Sequence, residues 1–163
     1  MSEPEVKQTE VDPMEEFKVY SADGKLLYVS SQEELDDCFY SIISLMSYTK
    51  TFNVGSKLKL TFSTISEAKK MDLLTKMREW TKTSDSSSQM FDQQLNKMNL
   101  AYYMSYIDMD SNGINLKEKD DKARLEYFDL MAEPAMNLYG TYQYVFMELV
   151  RKALINQVSL KNS

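Results

Sequence analysis

Apolar residues recur every three or four positions in one segment after another, and this spacing restricts the chain to an architecture built mainly from amphipathic helices. Ser31-Gln32-Glu33-Glu34 has the form of a capping box, in which a serine side chain and a glutamate three residues on satisfy the first free N–H groups of a helix. Leu35, Cys38, Phe39, Ile42, Ile43 and Met46 follow at helical intervals. Thr64-Ile65-Ser66-Glu67 repeats the signal ahead of Ile65, Ala68, Met71, Leu74, Met77 and Trp80, with Trp80 read as a core anchor. Phe91, Leu95, Met98, Tyr102 and Tyr106 predict one long helix over residues 89–107. Leu125, Phe128 and Met131 predict a helix over residues 119–132. A last helix, ending near residue 156, carries Leu138, Tyr142, Val145, Phe146, Leu149, Ala153 and Leu154. Glu133 precedes Pro134, and a residue before proline avoids the helical region, so a kink or short break is expected there. Gly140 costs its helix about 1 kcal/mol against alanine, which predicts close backbone packing at that point.

Two short regions depart from the helical period. Residues 17–29 read as a hairpin, because Asp23-Gly24 forms a tight turn between two apolar runs. Residues 57–62 alternate, with Leu58, Leu60 and Phe62 on one face and Lys57, Lys59 and Thr61 on the other, as a half-buried strand does. Residues 51–56, around Gly55, read as a turn. Only 4 glycines and 3 prolines punctuate the chain, too few for a sandwich or barrel of many turns. The fold class is therefore mainly α with a small β part (α+β). A short N-terminal hairpin plus one further strand would precede a bundle of about four to five helices. The expected organisation is an acidic disordered tail over residues 1–16, a β-containing head with one helix over 17–63, a helical bundle over 64–158 and a frayed C-terminus over 159–163.

Charge and chemistry exclude several functions. Six acids against one base occupy residues 1–16, so the net charge of −6 belongs almost wholly to the tail. No basic stripe is left to replace counterions on a phosphate backbone, which argues against nucleic acid. No apolar run approaches the roughly 18 residues of a membrane span, and the acidic N-terminus does not read as a secretory signal. Histidine is absent, which removes the usual general base and the commonest transition-metal ligand. Cys38 lies on an apolar stripe and reads as core filling. No P-loop or nucleophile elbow occurs, and the acids of Asp36-Asp37 and Asp120-Asp121 suit helix starts. The chain reads as a non-enzyme.

Two patterns remain as candidate sites. Asp108, Asp110 and Asn112, with Gly113 behind them, follow the first half of an EF-hand calcium loop, and Glu118 could close it if one residue is skipped. Lys119 stands where the bidentate glutamate belongs, and the competing reading is a helix–helix loop of good turn formers with no cofactor. Methionine and tyrosine are abundant, at 12 and 11 residues. Met98, Tyr102, Tyr103, Tyr106 and Met109 crowd the region of one predicted helix and form either a Met-rich core or an exposed face for a partner protein.

The order of these features resembles a known class. A strand over residues 57–62 runs into Ser63-Thr64-Ile65-Ser66-Glu67 and a helix. Asn99-Leu100-Ala101-Tyr102-Tyr103-Met104-Ser105-Tyr106-Ile107 follows, then a polar loop, Arg124-Leu125 in a helix, and a closing helix over residues 142–154. This resembles the tail and baseplate assembly proteins of tailed bacteriophages, including tail assembly chaperones and hub assembly proteins, across about residues 50–155. The resemblance implies a non-enzymatic role in virion morphogenesis, in the host cytoplasm or in the virion. The partners would be other phage structural or assembly proteins, or a second copy of the chain. The alternative expectation is an intracellular regulatory binding module with a degenerate EF-hand-like calcium loop.

Overall fold

A computed structural model describes residues 13–83, 88–110 and 112–161. Most of the expected acidic tail lies outside them, as do residues 162–163 of the expected frayed end. The fold is α+β: five helices, a two-stranded sheet and a four-stranded sheet among the described residues.

A 3-10 turn at Pro13–Phe17 leads into β1 (Lys18–Tyr20) and β2 (Leu26–Val29), the antiparallel hairpin expected from Asp23-Gly24. Gly24 takes φ 89°, open to it because it has no side chain. Helix α1 (Gln32–Leu45) starts where the first capping box places it. Ser31 Oγ accepts from the Glu34 N–H at 3.1 Å. The Glu34 carboxylate does not return to the cap; it accepts from the Tyr28 hydroxyl at 2.9 Å and pairs with Lys50 at 2.5 Å. Strands β3 (Thr49–Val54) and β4 (Leu58–Ser63) form a second hairpin, so the turn expected over residues 51–56 begins only at Gly55. Helix α2 (Glu67–Thr83) is capped by Ser66, whose Oγ accepts from the Lys69 N–H at 3.1 Å. Thr64 instead accepts from the Tyr48 N–H at 2.9 Å and ties β3 to the end of β4.

The largest departure from the sequence reading follows α3 (Ser88–Tyr103). The helix expected to reach residue 107 stops at Tyr103, and β5 (Met104–Met109) and β6 (Asn112–Asn115) form a third hairpin. The sheet runs β3-β4-β5-β6, antiparallel throughout, instead of holding one added strand. The cause is long-range. Leu60 and Phe62 are fully buried, so β4 needs a neighbour on its second edge, and β5 supplies one with Ile107 opposite Leu60. A 3-10 turn at Leu116–Glu118 leads to α4 (Asp121–Asp129), where Asp120 Oδ1 accepts from the Ala123 N–H at 2.8 Å. A break separates α4 from α5 at residues 130–132, but Glu133 and Pro134 both lie in the first turn of α5 (Glu133–Lys161), so the residue before the proline is helical after all; α5 then runs beyond the expected end near residue 156.

The core lies between one face of the large sheet and α5. Phe146 stacks on Phe62 at 5.8 Å and on Tyr48 at 5.9 Å, and Tyr142 meets Phe52 at 5.3 Å. Val145, Phe146, Leu149 and Ala153 of α5 are buried. Gly140 lets α3 approach α5: a β-carbon there would lie 2.5 Å from Asn96 Oδ1, whose Nδ2 donates to the Met136 carbonyl at 3.2 Å. Among the described residues no helix is long and apolar enough to cross a membrane.

Candidate functional site

The Asp-rich segment is a hairpin, not a loop between two helices, which corrects the EF-hand reading of its flanks. Asp108 sits in β5 opposite Lys59 of β4 and Gly113 of β6, with Oδ1 shielded from solvent and unbonded. Asp110 occupies the turn with φ 53°, donates its N–H to the Lys57 carbonyl at 2.9 Å, and holds its exposed carboxylate 3.8 Å from Lys57 Nζ. Asn112 opens β6, and Glu118 lies exposed beyond it in the 3-10 turn. Asp108 and Asn112 lie on two paired strands, Asp110 in the turn between them and Glu118 in a 3-10 turn beyond, whereas a calcium loop coils its ligands around one point. Among the described residues no three His, Cys, Asp or Glu side chains form a group able to hold a metal ion. Gly113, read as the sharp bend of such a loop, has another reason to be glycine. A β-carbon there would fall 1.7 Å from the Tyr106 hydroxyl and 2.4 Å from Tyr106 Cζ, so the tyrosine ring lies across the space that glycine leaves.

The Met/Tyr set divides. Met98, Tyr102 and Tyr103 are buried, at 6%, 7% and 7% exposure, which corrects the reading of this helix as an open docking face. Tyr106 and Met109 are exposed, but on β5, where Tyr106 opposes Thr61 and Met109 opposes Leu58.

Tyr102 is the centre of a charged cluster that joins three helices. Its hydroxyl donates to Asp72 at 2.8 Å, while Lys69, Lys76 and Arg124 lie 5.4, 5.7 and 5.9 Å from its ring centroid. Asp121, in the first turn of α4, pairs with Lys69 at 2.9 Å, with Lys76 at 3.2 Å and with Arg124. Partial burial pushes the Asp121 carboxyl up, but Lys69 and Lys76 outweigh it and hold it at about 2. Such a carboxylate stays ionised and cannot shuttle protons near neutrality. The cluster binds α2 to the ends of α3 and α4.

Nucleophilic chemistry fares no better. Cys38 is fully buried, and burial, assisted by the Glu34 charge, pushes its thiol up to about 12. An open cleft of about 450 Å³ lies between the β1–β2 turn and helices α3 and α5. Several of its polar groups are engaged within the chain. Ser21 Oγ bonds Asp23 and accepts from the Lys25 N–H, Thr141 donates to the Asn137 carbonyl, and Tyr144 donates to the Tyr20 carbonyl at 3.3 Å. None of the residues lining it is charged.

The exposed apolar surface that composition failed to locate is the end of α1. Tyr40, Ile43, Leu45 and Met46 are 62%, 62%, 73% and 88% exposed. Ile43 and Met46 fall outside the inward stripe that their spacing predicts; Leu35 and Cys38 are the buried members, with Phe39 and Ile42 half-buried. A signal was available. Residues 38–49 contain no charged side chain, which is unusual for a helix end facing water. Comparisons with protein-family models, with curated proteins and with solved structures give no match to this chain.

Proposed function

We propose that this chain is a non-enzymatic assembly or structural protein of a tailed phage, acting in tail or baseplate morphogenesis by contacting other proteins. The observation that carries the protein-binding part is the apolar end of α1, where four large side chains without a charge among them face solvent. A large contiguous apolar patch on a soluble surface marks a site of interaction. The phage assignment rests on the order of elements: strand β4 into α2, then α3, Arg124-Leu125 in α4 and the long α5. That order follows the one noted in the sequence, except that β5 (Met104–Met109) and β6 (Asn112–Asn115) replace the end of the helix and the polar loop after it.

In this role the partners are other virion or assembly components, met in the host cytoplasm or retained in the particle. The test is recovery of the tagged chain from infected cells and from purified virions. A tail or baseplate component should accompany the wild type from at least one source, and Ile43→Glu should release it. Recovery of the chain alone from both sources overturns the reading.

A further inference from the structure

We propose that the cleft between the β1–β2 turn, α3 and α5 binds a neutral, hydroxyl-rich ligand, a sugar of one or two pyranose rings. The site is independent of the apolar end of α1.

Three elements converge on it. Asn137, Thr141 and Tyr144 recur at intervals of four and three residues, so they share one face of α5. Asn96 of α3 lines the space with them, and Ser21, Ala22 and Leu27 of the first hairpin complete the wall. Tyr144 reaches from α5 to the Tyr20 carbonyl. Gly140 accounts for the position of the Asn96 amide, because a side chain at residue 140 would take its place.

Open hydrogen-bonding capacity is the main argument. An amide side chain offers two N–H hydrogens and a carbonyl oxygen. Asn96 gives one N–H to the Met136 carbonyl. The rest of that amide, and the whole Asn137 side chain, make no hydrogen bond among the described residues. Solvent reaches both, since the sealed and unbonded side-chain atoms among the described residues are Asp108 Oδ1 and Arg124 Nε. Thr141 and Tyr144 give their hydroxyl hydrogens to the main-chain carbonyls of Asn137 and Tyr20, so their oxygens remain as acceptors. Donors and acceptors therefore stand side by side, and a ligand hydroxyl, which can both donate and accept, satisfies either kind.

Shape and charge narrow the class. Ala22, Leu27 and the Tyr144 ring supply apolar wall beside the amides. A pyranose matches this mixture, with carbon-bound hydrogens on its faces and hydroxyls around its edge. An ionised ligand does not, because none of the lining residues is charged and its lost hydration would go uncompensated. The volume of about 450 Å³ lies toward the small end of ligand sites, which span roughly 300–1,000 Å³.

The test is titration of the full, isotope-labelled chain with D-glucose, D-galactose and N-acetyl-D-glucosamine, followed by amide magnetic-resonance spectra. At ordinary ligand efficiency a single ring of about twelve heavy atoms binds at about 1–10 mM, so each sugar is taken to about 50 mM. At least one should give saturating shifts centred on the side-chain amides of Asn96 and Asn137 and on the backbone of Ala22 and Thr141. Asn137→Ala should weaken that sugar about fivefold, the effect of a lost neutral hydrogen bond. Asn137 is exposed, so the variant should keep the wild-type spectrum elsewhere. Asn53→Ala, which removes an exposed amide from β3, should leave the affinity unchanged. No saturating shift with any of the three sugars, shifts scattered over the whole surface, or binding indifferent to Asn137→Ala overturns the proposal. Saturation by N-acetylated, amidated triglycine in place of the sugars also overturns it, and makes the cleft a peptide site.

Discussion

Helices α1 and α3 have similar apolar content, yet one ends in solvent and the other inside the molecule. Helix α3 passes directly from Tyr103 into β5, and Leu100, Ala101, Tyr102, Tyr103, Met104 and Ser105 are all buried. Helices α2, α4 and α5 surround it, and the cations of α2 and α4 close over Tyr102. Helix α1 packs chiefly on α5, and its last turn projects past that contact to Met46. Richness in methionine and tyrosine therefore says little about which surface is free. What differs is the neighbourhood: ionic side chains from other elements finish the polar edge of α3, and nothing charged lies within the last turn of α1.

The sharpest way to break this contrast is paired truncation. Leu100 is wholly buried, so Leu100→Ala should cost about 3 kcal/mol by lost burial and the cavity left behind. Leu45→Ala, at 73% exposure, should stay within about 0.5 kcal/mol. Urea denaturation of both variants, at a concentration low enough to keep the chain monomeric, measures the difference. Equal losses would mean that the end of α1 is covered within the monomer.

Asp121→Asn comes next. It leaves Lys69, Lys76 and Arg124 gathered around Tyr102 with Asp72 as the remaining acid, and should cost about 2 kcal/mol. Added salt should narrow the loss, because the surplus cations are partly exposed and screened. The pH dependence has a definite sign. The folded carboxyl, at about 2, lies below its ordinary 3.8, so its contribution is complete above the ordinary value and disappears as pH falls through the folded one. Urea midpoints of wild type and Asp121→Asn should therefore converge between about pH 4 and pH 2. A constant gap down to pH 2 would show that Asp121 acts through packing and not through charge.

How far the sequence foretold this arrangement depends on how local each cause is. The first hairpin, the start of α1 and strand β4 were legible, because Asp23-Gly24, Ser31 and the alternation from Leu58 to Phe62 act within a few residues; a break near Pro134 was also legible, though it falls at residues 130–132 and Glu133 is helical. Strands β5 and β6 were not. Leu95, Met98, Tyr102 and Tyr106 keep a helical spacing straight through the junction, and the demand for a strand comes from β4, over forty residues earlier in the chain. Strand β3 was half-hidden, since Thr49, Thr51 and Asn53 face outward and only Phe52 of the segment is sealed. For the candidate surfaces, residue type alone gave two readings of the Met/Tyr helix, and only the positions of α2 and α4 decide between them. Gly140 was readable as a close approach, though the neighbour proved to be the side chain of Asn96 and not a second backbone.

Gly140→Ala probes the same α3–α5 seam with a smaller effect. The added methyl meets the Asn96 amide at 2.5 to 3.0 Å and must displace it from the Met136 carbonyl. The better helix propensity of alanine offsets part of that, so a net loss of about 1 kcal/mol is expected. Asn96→Ala in the same background should recover most of it, because the obstructing amide is then gone. A double variant no better than Gly140→Ala would place the strain elsewhere in α5.

The smallest expected change has the opposite sign, and it returns to α1. Met46→Gly removes a β-carbon from a left-handed helix end and deletes a side chain that is 88% exposed among the described residues. Glycine enlarges the unfolded ensemble, which subtracts from the gain, so monomer stability should rise by only about 0.5 kcal/mol. Measured by urea denaturation at low concentration, that small rise separates two accounts of the residue. If Met46 served the fold, its loss would destabilise, as Leu100→Ala does in α3. If the fold merely tolerates it for the sake of contact with another chain, the isolated subunit improves without it.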